Sequence, residues 1–468
     1  MFKKVLNLLT KNFVGKAQQK SKFVGGLYNN TLHYNALRGF NTGNQAPKTP
    51  VITPFNDPGK REIKVGFVGA GAVNFGGAEG PWDHSKRLEQ LHDERFGNFK
   101  VVGLCDPDNE KAKKILGKKK VINPDIYNDC KIYSDWKDMI NDEYIDCIIV
   151  GTPPFLRGGV YNNLEDNIEY VCVKNGIDMF VEKPVGLLDP ELMGNYAIEV
   201  NKVQSITQSR YNNTRNPFIF VAYMFRYHQI FEEVFNILQR NNNPKIFNIN
   251  LNYHCAYPYI KKSFWWDVNR SGGPIIEQAT HFVDISRFIT NNSVHSKESL
   301  NVNIIPMYDG ILNSFDDEFK RELYKIKLED RNPVLTTSTW KFNNYDKKNR
   351  NDFGTMVSLT HSINLHHQKY QNDLTILADG LLIYVKDPYS MDNAILNVQQ
   401  TSNNIDLPML KYQTIVKCDP YYHQFKSFIK GLYSESNEES KQHVRSDFND
   451  AYKTHQLTWD IKHLSRYT

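Results

Sequence analysis

At 468 residues the chain is long enough for two or three domains, and no stretch reaches the ~20 apolar residues that a membrane-spanning helix needs. The net charge of +5 is unevenly placed: residues 1–56 hold seven lysines, one arginine and no acid, so they carry +8 and leave −3 for residues 57–468. A body of that charge excludes nucleic acid as an electrostatic partner. Six cysteines (Cys105, Cys130, Cys147, Cys172, Cys255, Cys418) are scattered with no Cys-x-x-Cys pair. They are expected as reduced core residues, not as a disulfide frame or a zinc site.

Residues 1–60 form a basic extension and linker. Phe2, Val5, Leu6, Leu9 and Phe13 share one helical face, with Lys3, Lys4 and Lys11 around it. Two readings fit: a mitochondrial transit peptide, or a disordered tail rich in Asn, Lys and Gln. The expected compartment is therefore the cytoplasm or the mitochondrial matrix. Gly, Asn and Pro from residue 25 onward read as linker.

Residues 61–226 alternate strands with helices, the pattern of a doubly wound parallel sheet. The strand Ile63–Val68 runs into Gly69-Ala70-Gly71-Ala72-Val73-Asn74. This is G-x-G-x-x-N, where a dinucleotide fingerprint has Gly or Ala in the last place. The first glycine permits a tight turn and the second lets the backbone approach a pyrophosphate. Phe75 to Pro81 inserts extra loop, and a helix is expected from about Trp82-Asp83-His84. The strand Lys100–Cys105 ends on Asp106. An acid there hydrogen-bonds an adenosine ribose and favours NAD over NADP; a helix cap is the plainer use of the same residue. Cys130–Tyr133 and Ile145–Val150 are further strands, the latter ending in Gly151-Thr152-Pro153-Pro154. A helix over Leu164–Asn175 stops at Gly176.

Met179-Phe180-Val181-Glu182-Lys183-Pro184 is a short apolar strand stopped by a charged pair and a proline, which has no N–H for the ladder. A lysine at the carboxyl end of such a strand sits where parallel sheets bind ligands, although most lysines are simply solvated. The last strand of the domain is expected at Phe218–Ala222.

Taken in order, the Gly69-x-Gly71 loop, Asp106, Thr152-Pro153, Gly176 and Glu182-Lys183-Pro184 resemble the Gfo/Idh/MocA family of NAD(P)-dependent oxidoreductases. That family includes glucose–fructose oxidoreductase and inositol dehydrogenase. The resemblance implies a Rossmann cofactor site for NAD or NADP at Gly69, Gly71, Ala72, Val73, Asn74, Asp106, Thr152, Pro153, Glu182 and Lys183, with NAD favoured by Asp106. Family members carry a histidine shortly after Thr-Pro; here Pro154-Phe155-Leu156-Arg157 stands instead. Tyr223-Met224-Phe225-Arg226-Tyr227 resembles the family's crossing into a second domain.

Residues 227–468 read as an α+β domain with a large, mostly antiparallel sheet. Strands are expected at Ile246–His254, Asn301–Ile305, Val334–Trp340, Met356–Ile363, Leu374–Ala378, Leu381–Val385, Ala394–Val398 and Tyr412–Val416. Helices are expected over Pro420–Leu432 and Asp447–Leu464, with a polar loop over residues 433–446 between them. Within Arg270 to Asp284, Gly272, Gly273 and Pro274 open a helix on which Glu277 and His281 are i and i+4. Such a pair shares one face, and the carboxylate can fix the tautomer of the imidazole. An ordinary surface pair has the same spacing, but Ile275, Ile276, Ala279, Phe282 and Val283 around it argue for burial.

The same resemblance matches His281 to the family's catalytic histidine and Glu277 to a place where many members have Asp. Lys183, His281 and Glu277 are thus the implied catalytic set, for hydride transfer between a nicotinamide and a carbinol carbon of a sugar, cyclic polyol or related molecule. Arg226, Tyr257, Trp265, Trp266 and Asp267 are candidate substrate contacts; core packing is the competing role for the tryptophans. Glu277 and His281 give a metal two ligands where zinc needs three or four, so no metal is expected. A catalytically silent dinucleotide-binding regulator is the alternative function. The expected partners are a small-molecule substrate and a second copy, as homodimer or homotetramer.

Overall fold

The computed structural model describes residues 61–77, 80–157, 163–255, 263–308, 310, 316–343, 354–363, 370–401 and 409–465. The amino-terminal extension and Tyr257 lie outside the described residues.

Six strands form the first sheet: β1 (Ile63–Val68), β2 (Phe99–Cys105), β3 (Lys131–Tyr133), β4 (Cys147–Val150), β5 (Asp178–Val181) and β6 (Ile219–Val221). Their order is β3-β2-β1-β4-β5-β6, and every pairing is parallel. β4 and β5 are buried throughout, as continuous apolar runs between two helical layers should be. The order reverses between β1 and β4, which opens a crevice at their carboxyl ends. The helix after β1 is divided. One turn, Ala72–Phe75, precedes the glycine-rich insertion, and His84–Asp93 follows it, capped by the Asp83 side chain accepting from Lys86 N–H.

The second sheet has eight strands: β7 (Ile246–Cys255), β8 (Asn301–Ile305), β9 (Leu335–Phe342), β10 (Thr355–Ser362), β11 (Tyr370–Ala378), β12 (Leu381–Lys386), β13 (Ala394–Gln400) and β14 (Leu410–Val416). Their order is β14-β13-β12-β11-β7-β10-β9-β8, antiparallel except for the β7–β10 pair. Burial alternates along the central strands, so one face is dry and the other wet. Ile230, Phe231 and Val234 of the Gln229–Arg240 helix and Phe282, Val283 and Ile285 of the Thr280–Ile289 helix share a core with Ile249, Leu251 and Ile376.

The closing helices depart from a division at residue 226. Phe425, Phe428, Ile429 and Leu432 of Pro420–Tyr433 join the core beneath the first sheet, where Phe428 meets Phe180 and Phe220 edge-on at 5.4 and 5.9 Å. Phe448 and Ala451 of Phe448–Leu464 pack with Val181 and Val221. Val221 N–H donates to Ser446 O, so returning chain covers the outer edge of β6. The expected polar loop over 433–446 contains a helix, Asn437–His443, capped by Ser436 accepting from Glu439 N–H. All six cysteines are buried and free.

Candidate active site

The carboxyl ends of β1, β2 and β4 converge on the glycine loop. Gly69 has φ +96°, and a Cβ there would lie 2.9 Å from Thr152 Cγ2, so only glycine lets the loop pass β4. Gly71 is the opposite case: a Cβ would meet nothing within 4 Å, so the loop is open on that side. Thr152 Oγ1 is buried without a hydrogen-bond partner. An open glycine and an orphaned hydroxyl beside it fit the backbone-cradled phosphates and polar edge of a dinucleotide. Asp106, nearly buried at 9% exposure, braces the loop: Oδ2 accepts from Ala70 N–H at 2.7 Å and Oδ1 from Asp108 N–H at 2.9 Å. A carboxylate has about four lone-pair sites, so acceptor capacity remains for a ribose hydroxyl. Lys111 Nζ stands 3.7 Å from Oδ2.

Asn74, expected against the cofactor, is fully buried beneath the loop. Its amide donates to Val68 O at 3.0 Å and Gly69 O at 2.8 Å. It ties off the end of β1 and cannot touch a ligand, which corrects the expectation. Its polar group caps strand carbonyls that a third glycine would leave to other donors.

Lys183 follows β5, and its Nζ donates to the backbone carbonyl of Glu277 in the second domain at 2.9 Å. The Lys183–Pro184 bond is cis. Glu182, just before it, pairs through Oε1 with Nε2 of fully buried His84 at 2.9 Å. Arg157 is also buried; it donates to Glu182 O at 3.0 Å and to Pro184 O.

Gly272 and Gly273, at φ +81° and +92°, turn the chain into a π-helical turn, Ile275–Ala279, continued by the Thr280–Ile289 helix. Such turns are frequent at functional sites. His281 heads that helix with 7% exposure, among the rings of Tyr223, Phe225 and Tyr389 at 6.0, 5.6 and 6.1 Å. Burial first, and then the neighbouring Lys183 ammonium, hold its pKa well below the ordinary histidine value. The imidazole is therefore neutral and able to accept a proton.

Nδ1 of His281 is buried without a partner, so no hydrogen bond from Glu277 reaches that nitrogen. The i, i+4 spacing assumed an α-helix, and residues 275–279 form a π-helical turn instead. The main chain of Glu277, receiving Lys183, is what joins the two motifs.

Four of the candidate substrate contacts take structural positions. Arg226 is a buried structural ion: Nε and Nη2 donate to Asp284 at 2.7 and 2.6 Å, and Nη2 also lies 2.6 Å from Asp450. Trp266 is wholly buried in the second core, in ring contact with Phe319. Trp265, 7% exposed, packs in the same core. Asp267 caps the Val268–Ser271 turn by accepting from Asn269 N–H. Sequence reasoning missed His84 and the pair His361–Gln278, in which His361 Nε2 lies 2.8 Å from Oε1 of Gln278 on the π-helical turn. Neither belongs to a short motif; the only signal for His361 is its place on an alternating strand.

The fold and this crevice define a dinucleotide-dependent oxidoreductase. Residues 63–206 match the family model described as "Oxidoreductase family, NAD-binding Rossmann fold", and residues 226–381 match an oxidoreductase C-terminal domain model. Residues 63–206 thus carry the NAD-binding Rossmann domain of the Gfo/Idh/MocA oxidoreductases. Two Schizosaccharomyces pombe proteins, UNK4.17 and C12C2.04, are 28% and 27% identical to it, over 86% and 85% of this chain and 91% and 95% of theirs. Among solved structures it is similar to an NAD-binding oxidoreductase from Klebsiella pneumoniae (TM-score 0.60, 10% identity, 86% of this chain and 97% of that one). It is also similar to a myo-inositol dehydrogenase from Corynebacterium glutamicum (0.54, 14%, 87% and 97%). A third is the WlbA dehydrogenase from Bordetella pertussis in complex with NADH and UDP-GlcNAcA (0.55, 15%, 87% and 97%).

Proposed function

We propose that this oxidoreductase interconverts a carbinol and a carbonyl on a sugar, cyclic polyol or related polyhydroxylated molecule, with NAD as the favoured cofactor. The observation that carries the reading is the meeting of Lys183 with the Glu277 carbonyl, beside a neutral, buried His281, at the end of a dinucleotide crevice. When bound, the nicotinamide supplies the hydride acceptor or donor. Oxidation of the carbinol breaks its C–H and O–H bonds and forms C=O. His281 takes the hydroxyl proton at Nε2, since Nδ1 is sealed from solvent. Lys183 exchanges its hydrogen bond from Glu277 O to the substrate oxygen and stabilises the negative charge that develops there. The rings around His281 exclude water from the transfer.

The substrate class is drawn from the printed activities of the similar structures: one acts on myo-inositol, another binds a nucleotide sugar. NAD is favoured because Asp106 keeps free acceptor sites at the end of β2. A homodimer or homotetramer would cover the wet face of the second sheet, where Leu377 and Ile415 are exposed. The test is a panel of sugars, nucleotide sugars and cyclic polyols, followed by nicotinamide absorbance. Lys183→Ala and His281→Ala should each lower kcat by about 10²–10⁴-fold while still binding NADH. Variants as active as wild type on the best substrate would overturn the assignment.

A further inference from the structure

We propose that Arg157 is a positioning residue for Lys183: its guanidinium brackets the lysine by holding the carbonyls of Glu182 and Pro184. The inference rests on reading Lys183 as the group that meets the substrate oxygen, and goes beyond it by assigning what holds that lysine in place.

Arg157 lies in the segment after β4 and Lys183 in the segment after β5, and β4 and β5 are paired neighbours in the first sheet. Nη1 donates to Glu182 O at 3.0 Å, and Nη2 donates to Pro184 O. These carbonyls belong to the residues immediately before and after Lys183. A planar fork with two fixed donors thereby holds the peptide plane that precedes the lysine and the one that follows Pro184. The side chain of Lys183 then leaves the bracket toward Glu277 O. Two carbonyls do not neutralise a buried cation, and a carboxylate is in place to do so: Glu169, itself buried, stands 3.9 Å from Nη1 and accepts from Tyr196 OH at 3.1 Å. An arginine buried at such cost, with both terminal nitrogens spent on the two neighbours of one lysine, is placed for that lysine.

The bracket borders a cavity of about 190 Å³ lined by Arg157, Asn167, Glu169, Val185, Gly186 and Tyr196. Removing the guanidinium therefore leaves space that a free guanidinium ion can enter.

The experiment is competitive acetylation of the full-length protein, with the rate at Lys183 read by mass spectrometry and exposed Lys297 as internal reference. In Arg157→Ala, Lys183 should label about tenfold faster than in wild type, the factor that one hydrogen bond to a charged group is worth. Millimolar guanidinium chloride should restore the slow rate, and sodium chloride of equal ionic strength should not. Arg157→Lys offers one flexible donor head for two carbonyls and should fall between. Equal Lys183 rates in wild type and a cooperatively folding Arg157→Ala overturn the proposal. If the alanine variant does not fold, Arg157→Lys carries the test, and a wild-type rate there overturns it. The labelling reads Lys183 directly. Failure to turn over any polyol would remove the dehydrogenase reading and leave this result standing.

Discussion

Gly69 and Gly71 are two residues apart and are required for different reasons. Gly69 has a positive φ and no room for a Cβ beside Thr152, so Gly69→Ala should cost about 1–3 kcal/mol in denaturant unfolding. Gly71 has extended backbone and open space, so Gly71→Val should leave stability within about 0.5 kcal/mol and abolish NADH binding, read by nucleotide fluorescence. Both glycines were legible because a tight turn beside a phosphate has few solutions. Lys183 and His281 were legible through their motifs. The position of Asn74 was legible, but not its direction, because a sequence does not say which side of a loop a side chain enters. The π-helical turn that carries Glu277 was not legible, because spacing alone does not distinguish it from an α-helix.

Among the elements, the Arg226 network does most to join the parts. It links the Met224–Tyr227 turn, the Thr280–Ile289 helix through Asp284 and the Phe448–Leu464 helix through Asp450. Arg287 adds a second contact to Asp450 at 2.8 Å. Arg226→Met leaves the Asp284 carboxylate buried without its main cation, so unfolding in guanidinium should show a loss of about 3–5 kcal/mol. A change below about 1 kcal/mol would mean that water or Arg287 already satisfies both acids. All eight strands of the second sheet were legible, the central ones because they alternate in a half-wet sheet; β14 is exposed along nearly its whole length. Their order was not: β10 pairs with β7 across about a hundred residues, and nothing local encodes that partner. The Asn437–His443 helix was hidden by polar composition, although Ser436 and Glu439 stand at capping-box spacing.

At the scale of the molecule, the first sheet is not covered by its own segment. Residues 61–226 lack Phe425, Phe428, Ile429 and Leu432, which complete the core beneath β5 and β6. Expressed alone, they should show no cooperative calorimetric transition, whereas a chain of residues 61–465 should show one. A boundary read from a change of periodicity finds where the second sheet begins and misses the return of the last helices. Stability should also depend on acid. Burial pushes His228 and His455 down to about 4 and His361 down to about 3. The unfolded chain protonates below about 6.5, so their contribution is full above that pH and is lost as pH falls toward 4, at up to about 1.4 kcal/mol per pH unit for each histidine. His455→Gln, which can keep the bond to Leu188 O, should reduce that slope by up to one histidine's share. The most direct measurement of the account as a whole is thermal unfolding of the full-length protein with NAD, NADH, NADP or NADPH. The crevice predicts stabilisation that grows with ligand, about 2.7 kcal/mol at a hundredfold excess over Kd, and none in Gly71→Val. A folded wild type that none of the four nucleotides stabilises would contradict it.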